Sequence, residues 1–260
     1  MKVGILAGGR GERLSEETHL RPKPMVTIGG APLLWHIMFH YAAYDHREFV
    51  IALGYLGDVV RDWCAEMANN RGGTYRAYGN GHAEVHLKRP DWIIHLVETG
   101  PETNTGGRIK ALGPWLGDNT FFLTWGDGVS DVDLDALYAF HQDHGQPATL
   151  TAVHPPPRFG HLVLDGNRVM SFQEKPKGAE GWINGAFFVL DPEVLDRIAG
   201  PDTAFEGEPM QSLAADGALR AYRHEGFWHC VDTLSDKARL EALWAAGTRP
   251  WIPRNVEGWE

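Results

Sequence analysis

Short apolar runs alternate with stretches of helical period along the first half of this chain. Val3 to Ala7 and Phe49 to Leu53 are continuous apolar segments of strand length, and Phe121 to Trp125 and Ala148 to Val153 repeat the pattern. Between them, Leu34, Ile37, Met38 and Tyr41 fall on one face of a predicted helix over Leu33 to Tyr44, with Pro32 at its start, where a missing N–H does no harm. Further helices are predicted over Val59 to Met67, from the 103–108 segment through Leu112, over Asp133 to His141 and over Leu234 to Ala246. Strands that alternate with helices in this way favour a parallel sheet with crossover helices, an α/β fold. Glu84 to Lys88 and Ile93 to Val97 read as short strands or a loop excursion.

The second half changes period. Pro155, Pro156, Pro157 and Gly160 break the alternation, and a hairpin is predicted from His161 to Leu164 and Val169 to Gln173, turning at Asp165-Gly166-Asn167. Trp182 to Leu190 and Leu219 to His224 read as strands. Thr248 to Glu260 has no period and is expected on the surface or against a neighbouring subunit. No internal repeat or long linker divides the chain.

Composition narrows the partners. The 260 residues carry 24 Lys and Arg against 34 Asp and Glu, a formal charge of −10 that disfavours nucleic acid as the main partner. Two cysteines without a CxxC spacing, Cys64 and Cys230, indicate neither a disulfide framework nor a zinc knuckle. The absence of a basic leader or a long apolar run makes a cytoplasmic enzyme, with no membrane attachment, the default expectation.

Candidate chemistry gathers at the first strand. It runs into Gly8, Gly9 and Gly11, whose N–H groups can converge on an anion, and Arg13 and Lys23 add two cations nearby. The loop is not a dinucleotide fingerprint, because Leu14 stands at the third glycine position, and no P-loop run occurs. Asp127 follows an apolar strand between two glycines, at the sheet edge where open α/β folds bind ligands; an ordinary turn aspartate is the competing reading. Asp232 is its candidate partner, with helix N-capping as the alternative. Two aspartates, water and phosphate oxygens suit one Mg²⁺. Lys175, fixed by Pro176, and Asn184, polar within an apolar strand, could meet a sugar phosphate; a solvated lysine and a backbone-bonded asparagine are the competing readings. His36 and His40 lie at i, i+4, but no third ligand is nearby, so a partly buried or surface pair is expected. The absence of a Gly-x-Ser-x-Gly elbow gives no support to a serine hydrolase.

Leu6-Ala7-Gly8-Gly9-Arg10-Gly11-Glu12-Arg13-Leu14 followed by Pro22-Lys23-Pro24-Met25 resembles the signature of the sugar-1-phosphate nucleotidylyltransferases. Thr105-Gly106-Gly107-Arg108, Trp125-Gly126-Asp127-Gly128, Phe172 to Gly178 and Gly226-Phe227-Trp228 extend the likeness over nearly the whole chain, towards the glucose-1-phosphate cytidylyltransferases. The resemblance implies a single Rossmann-like nucleotidyltransferase domain over residues 1–247, a mainly parallel mixed sheet flanked by helices with a small β-rich sugar-binding part. Its nucleotide half would be about 1–130 and its sugar half about 131–247, followed by a tail at 248–260. It also implies CTP and glucose 1-phosphate as substrates, Mg²⁺ dependence and a homo-oligomer. By motif, Leu6, Ala7, Gly8, Gly9, Arg10, Gly11, Glu12, Arg13, Lys23, Thr103, Arg108 and Gly126 would line the nucleotide. Asp127 and Asp232 would bind Mg²⁺, and Glu174, Lys175, Asn184 and Gly185 would face the sugar phosphate. Arg13, Lys23 and Asp127 would carry catalysis, with the sugar-phosphate oxygen attacking the α-phosphate and expelling pyrophosphate.

Three positions depart from the family pattern: Glu12 replaces a small hydroxyl residue, Arg10 is unusual, and Ala186 replaces a second glycine. Glu12 is expected to pair with Arg10. The same chemistry with another acceptor or nucleotide, and a silent nucleotide-sensing subunit, remain as alternatives.

Overall fold

The computed structural model describes residues 1–11, 14–156, 161–173 and 181–253. The first strand, β1 (Lys2–Leu6), sits centrally in a nine-stranded sheet. After helix α1 (Ser15–Thr18) and a 3₁₀ turn at Lys23–Met25, the small ladder β2 (Thr27–Ile28) and β3 (Ala31–Pro32) leads into helix α2 (Leu33–Ala42). Next come strand β4 (Glu48–Leu53), helix α3 (Gly57–Asn70) and strands β5 (Thr74–Ala77), β6 (His82–His86) and β7 (Ile93–Glu98). Helix α4 (Thr105–Leu116), β8 (Phe121–Trp125), β9 (Gly128–Ser130), helix α5 (Leu134–His144) and β10 (Ala148–Val153) follow. The hairpin β11 (His161–Asp165) and β12 (Arg168–Gln173) precedes β13 (Ile183–Leu190), helix α6 (Glu208–Ala215), β14 (Leu219–His224), β15 (Trp228–Cys230) and helix α7 (Leu234–Ala245).

The sheet order is β14-β10-β13-β8-β1-β4-β7-β6-β5, and within it β6 and β13 run against the others. The central strands are therefore parallel, as the apolar runs predict. The period-2 pleat sends Phe122 to one face and Phe121 and Leu123 to the other. Helices α2, α3 and α5 cover the first face, and α4 and α6 cover the second. Of the readings left open for Glu84 to Lys88 and Ile93 to Val97, the strands hold, as β6 and β7; β5, which a weak, polar sequence did not announce, pairs antiparallel to β6 and forms the sheet's edge.

The described part of the tail, residues 248–253, departs from expectation. Trp251 is 2% exposed, and its indole Nε1 donates to His36 Nδ1 at 3.1 Å, while His36 Nε2 bonds to Ile28 O at 2.9 Å. His40 is likewise buried, bonded through Nε2 to Val132 O at 3.0 Å. Burial pushes both imidazoles down to about 4, so they are neutral structural groups rather than a partly buried or surface pair.

Opposite Thr151 of β10, residues 185–187 of β13 form a bulge, in which Ala186 adopts a left-handed φ of 60° and donates its N–H to Asn184 Oδ1 at 2.8 Å. A Cβ in this region costs roughly 1–2 kcal/mol, against roughly 0.5–1 kcal/mol for glycine's greater freedom when unfolded. Ala186→Gly is expected to stabilise the protein by about 0.5–1 kcal/mol in urea unfolding; a loss of stability would show that the strain is not real.

Candidate active site

The order β8-β1-β4-β7 places the chain's reversal between β1 and β8: from β1 the strands step one way to β4 and β7, then the chain returns to lay β8 on the other side. Open α/β sheets bind ligands at the carboxyl ends of such a pair. A cleft of about 800 Å³ opens there. Leu6, Ala7, Gly9, Arg10, Gly11, Lys23, Thr103, Arg108, Gly126 and Asp127, all named from the sequence, line it.

The glycine loop is shaped from below by Arg108. This buried guanidinium donates through Nη1 to Leu53 O (3.1 Å), Thr99 Oγ1 (2.7 Å) and Gly100 O (2.8 Å), and through Nη2 to Pro101 O (3.2 Å). It thereby ties together the segments leaving β4 and β7. A Cβ on Gly8 would lie 2.3 Å from Nη1, so this glycine is required by the arginine beneath it. A Cβ on Gly9 would meet nothing within 4 Å, so packing does not require glycine there and the backbone is open to a ligand. Arg108 was expected to complete the nucleotide pocket; it forms part of the wall, with Nη1 wholly and Nη2 partly engaged by these loop acceptors.

The charged centre is assembled from three distant segments. Lys23 sits in the 3₁₀ turn with Pro24, which packs so closely on Gly126 that a Cβ there would lie 2.5 Å from Pro24 Cγ and 2.6 Å from Leu6 O. Asp127 follows β8. The β9–β15 ladder and the bond from Val231 N to Asp127 O at 2.8 Å draw Asp232 alongside. Lys23 Nζ then lies 3.1 Å from Asp127 Oδ2 and 2.5 Å from Asp232 Oδ1, across sequence separations of 104 and 209 residues. Burial works against the Lys23 charge, but Asp127 and Asp232 outweigh it and hold the ammonium above the ordinary lysine value. The N-cap alternative for Asp232 is resolved: Thr233 caps α7 in a reciprocal box with Asp236, and the buried Asp232 carboxylate sits behind the cleft wall on Lys23.

Cys230 Sγ donates to Asp232 Oδ2 at 3.6 Å, and burial followed by the charges of Asp232 and Asp127 pushes its thiol up to about 12, so it stays neutral. The donor set at this centre is thus two hard carboxylates without thiolate, which suits Mg²⁺ with its remaining positions filled by phosphate and water. Among the described residues, no group of three or more His, Cys, Asp or Glu is placed to cage a metal.

Not every expected residue joins the cleft. Asn184 and Gly185 lie on β13 outside these walls: the Asn184 carbonyl accepts from Ala186 N, and Gly185 O accepts from Trp228 Nε1 at 2.8 Å. Thr103 does line the cleft, with its Oγ1 donating to Thr99 O at 2.5 Å. Glu12, Arg13, Glu174 and Lys175 lie outside the described residues. Arg10 donates to Glu102, and its expected pairing with Glu12 lies outside the described residues. The cleft also has walls that motif reading missed, notably Trp125, Glu102, Asn104 and Thr105. Trp125 stacks on Phe188 at 4.8 Å and donates to Glu206 Oε1 at 3.2 Å, and Thr105 Oγ1 holds the other Glu206 oxygen at 2.5 Å. Its place just before Gly126-Asp127 was a usable signal; Glu102 gave none.

The profile of the nucleotidyl transferase family matches residues 2–236. The chain belongs to this family. The glucose-1-phosphate cytidylyltransferase of Salmonella typhi is 48% identical over 253 residues, covering 96% of this chain and 98% of that protein. The mannose-1-phosphate guanyltransferase of Aspergillus oryzae is 32% identical over 244 residues, 91% of this chain and 62% of that one. Among solved structures, the inositol-1-phosphate CTP transferase from T. maritima shares the fold, with a TM-score of 0.66 at 17% identity over 98% of this chain and 97% of that chain. Among the described residues, no helix is long and apolar enough to cross a membrane.

Proposed function

We propose that this chain transfers CMP from CTP to glucose 1-phosphate, releasing pyrophosphate and giving CDP-glucose. One observation carries the reading: Lys23, Asp127 and Asp232 converge beside the glycine loop at the sheet's switch point, in a chain 48% identical over nearly its full length to a glucose-1-phosphate cytidylyltransferase.

The reaction needs no protein nucleophile. A phosphate oxygen of the sugar substrate forms a bond to the α-phosphorus of CTP while the bond to the bridging oxygen of the β-phosphate breaks, and pyrophosphate leaves with that electron pair. The protein's tasks are to align two polyanions and to neutralise charge as it develops. The open backbone at Gly9 receives the triphosphate, and Lys23, whose stem packs against Gly11, supplies a fixed cation beside it. Asp127 and Asp232 are the residues that would hold Mg²⁺, which when bound supplies Lewis-acid polarisation at the phosphates. Arg13 and Lys175 are assigned to the triphosphate and the sugar phosphate on motif alone. Homo-oligomeric assembly and a cytoplasmic setting rest on the resemblance and the composition.

Pyrophosphate release in Mg²⁺, measured with each of four ribonucleoside triphosphates against a panel of sugar 1-phosphates, tests the proposal. Release with CTP and glucose 1-phosphate, at least tenfold above every other pair, is expected. A different preferred pair would move the assignment to another substrate of the same chemistry. CTP binding without release from any pair would favour a nucleotide-sensing role.

A further inference from the structure

The ammonium of Lys23 stands where a divalent cation shared by Asp127 and Asp232 would have to stand. It contacts one oxygen of each carboxylate, at 3.1 and 2.5 Å, and both Lys23 and Asp232 are buried. Mg²⁺ binds carboxylate oxygen at about 2.0–2.1 Å. An ion bridging these oxygens would therefore overlap the ammonium, and two cations packed so closely in a partly dry site would repel strongly.

We propose that Lys23 is a resident counter-ion that excludes the divalent cation from the empty enzyme and leaves the aspartates only when a triphosphate offers its charge another partner. This rests on the reading of Asp127 and Asp232 as the cation's carboxylates. The exchange couples two binding events: the arriving triphosphate draws the ammonium away, the carboxylates are freed together, and the divalent cation then binds with the nucleotide. Linkage makes the effect reciprocal, so the cation in turn favours the nucleotide-facing position of Lys23. The local framework permits the movement. The lysine's backbone is pinned in a 3₁₀ turn whose Pro24 packs on Gly126, while its Nζ and the Asp127 side chain, 25% exposed, border the cleft. A side-chain rotation suffices, with no domain motion.

The test is Mn²⁺ binding to the nucleotide-free, full-length protein, read from the free-ion electron paramagnetic resonance signal, so no turnover is involved. Lys23→Met is expected to bind Mn²⁺ at least tenfold more tightly than the wild type, because the two carboxylates lose their internal cation. Asp232→Asn introduced into the Lys23→Met background is expected to abolish that gain. Equal affinity of the wild type and Lys23→Met overturns the exchange. In that event, if Asp232→Asn alone weakens Mn²⁺ binding, the metal assignment survives without it. A gain that persists in the double variant places the ion elsewhere, and the proposal fails together with the metal assignment. If uncompensated carboxylates destabilise Lys23→Met, millimolar Mn²⁺ is expected to restore its melting temperature, and failure to do so also overturns the proposal.

Discussion

Asp127→Asn is expected to lower the rate of pyrophosphate release by about a thousandfold, or ~4 kcal/mol of transition-state stabilisation. Asparagine keeps the size of the side chain and one oxygen acceptor, so the change removes charge rather than shape. The β9–β15 connection is held through the Asp127 backbone carbonyl, which the substitution leaves bonded to Val231 N. Lys23 also keeps Asp232, its closer partner at 2.5 Å. Folding stability is therefore expected to change by less than about 1 kcal/mol, as for a partly exposed ion pair. The catalytic loss would come from one negative charge missing where the divalent cation and the reacting phosphates must be held. Steady-state kinetics with CTP and glucose 1-phosphate, beside a urea titration, separate the two effects. A loss below tenfold with unchanged stability would remove Asp127 from the reacting centre.

Arg108→Met is expected to cost about 3 kcal/mol of folding stability and to weaken nucleotide binding as a consequence. Methionine replaces much of the aliphatic stem but supplies no donor, so Leu53 O, Gly100 O, Pro101 O and Thr99 Oγ1 lose the guanidinium. Each buried acceptor left unpaired costs about 1–3 kcal/mol, and water entering from the cleft relieves part of the sum. Arg108→Lys should recover only a portion, because one ammonium cannot reproduce a planar fork reaching four acceptors. Urea unfolding checks the stability, and CTP titration at low denaturant checks binding. Unchanged stability with lost CTP affinity would show that the guanidinium serves the nucleotide directly and that its bonds to the loops are incidental.

Much of the sheet was legible because buried parallel strands advertise themselves. Val3 to Ala7, Phe49 to Leu53 and Phe121 to Trp125 are covered on both faces and so are apolar but for Thr124, a pattern that few other local structures produce. The ends of the sheet were not legible. Residues 74–77 are polar or solvent-facing and become strand β5 only because β6 offers unpaired backbone groups. The three-residue strands β9 and β15 carry too few positions to show any period, yet their pairing brings the two aspartates together.

The same division runs through the site. The glycine loop, Lys23 and Asp127 stand out in the sequence because phosphate chemistry needs bare backbone and fixed charge next to a strand end, and those requirements are local. The sequence by itself thus determined the family and the class of reaction and named the candidate groups. Only the tertiary structure decided which of those groups meet. Thr233 rather than Asp232 caps the last helix, Arg108 spends its donors on loop carbonyls, and Trp251 is buried on His36. The pairing of Lys23 with both aspartates was likewise decided by the fold. The physical reason is range. Strand, turn and helix preferences act over a few residues, whereas contacts across 104 or 209 residues exist only once the sheet has fixed its strand order.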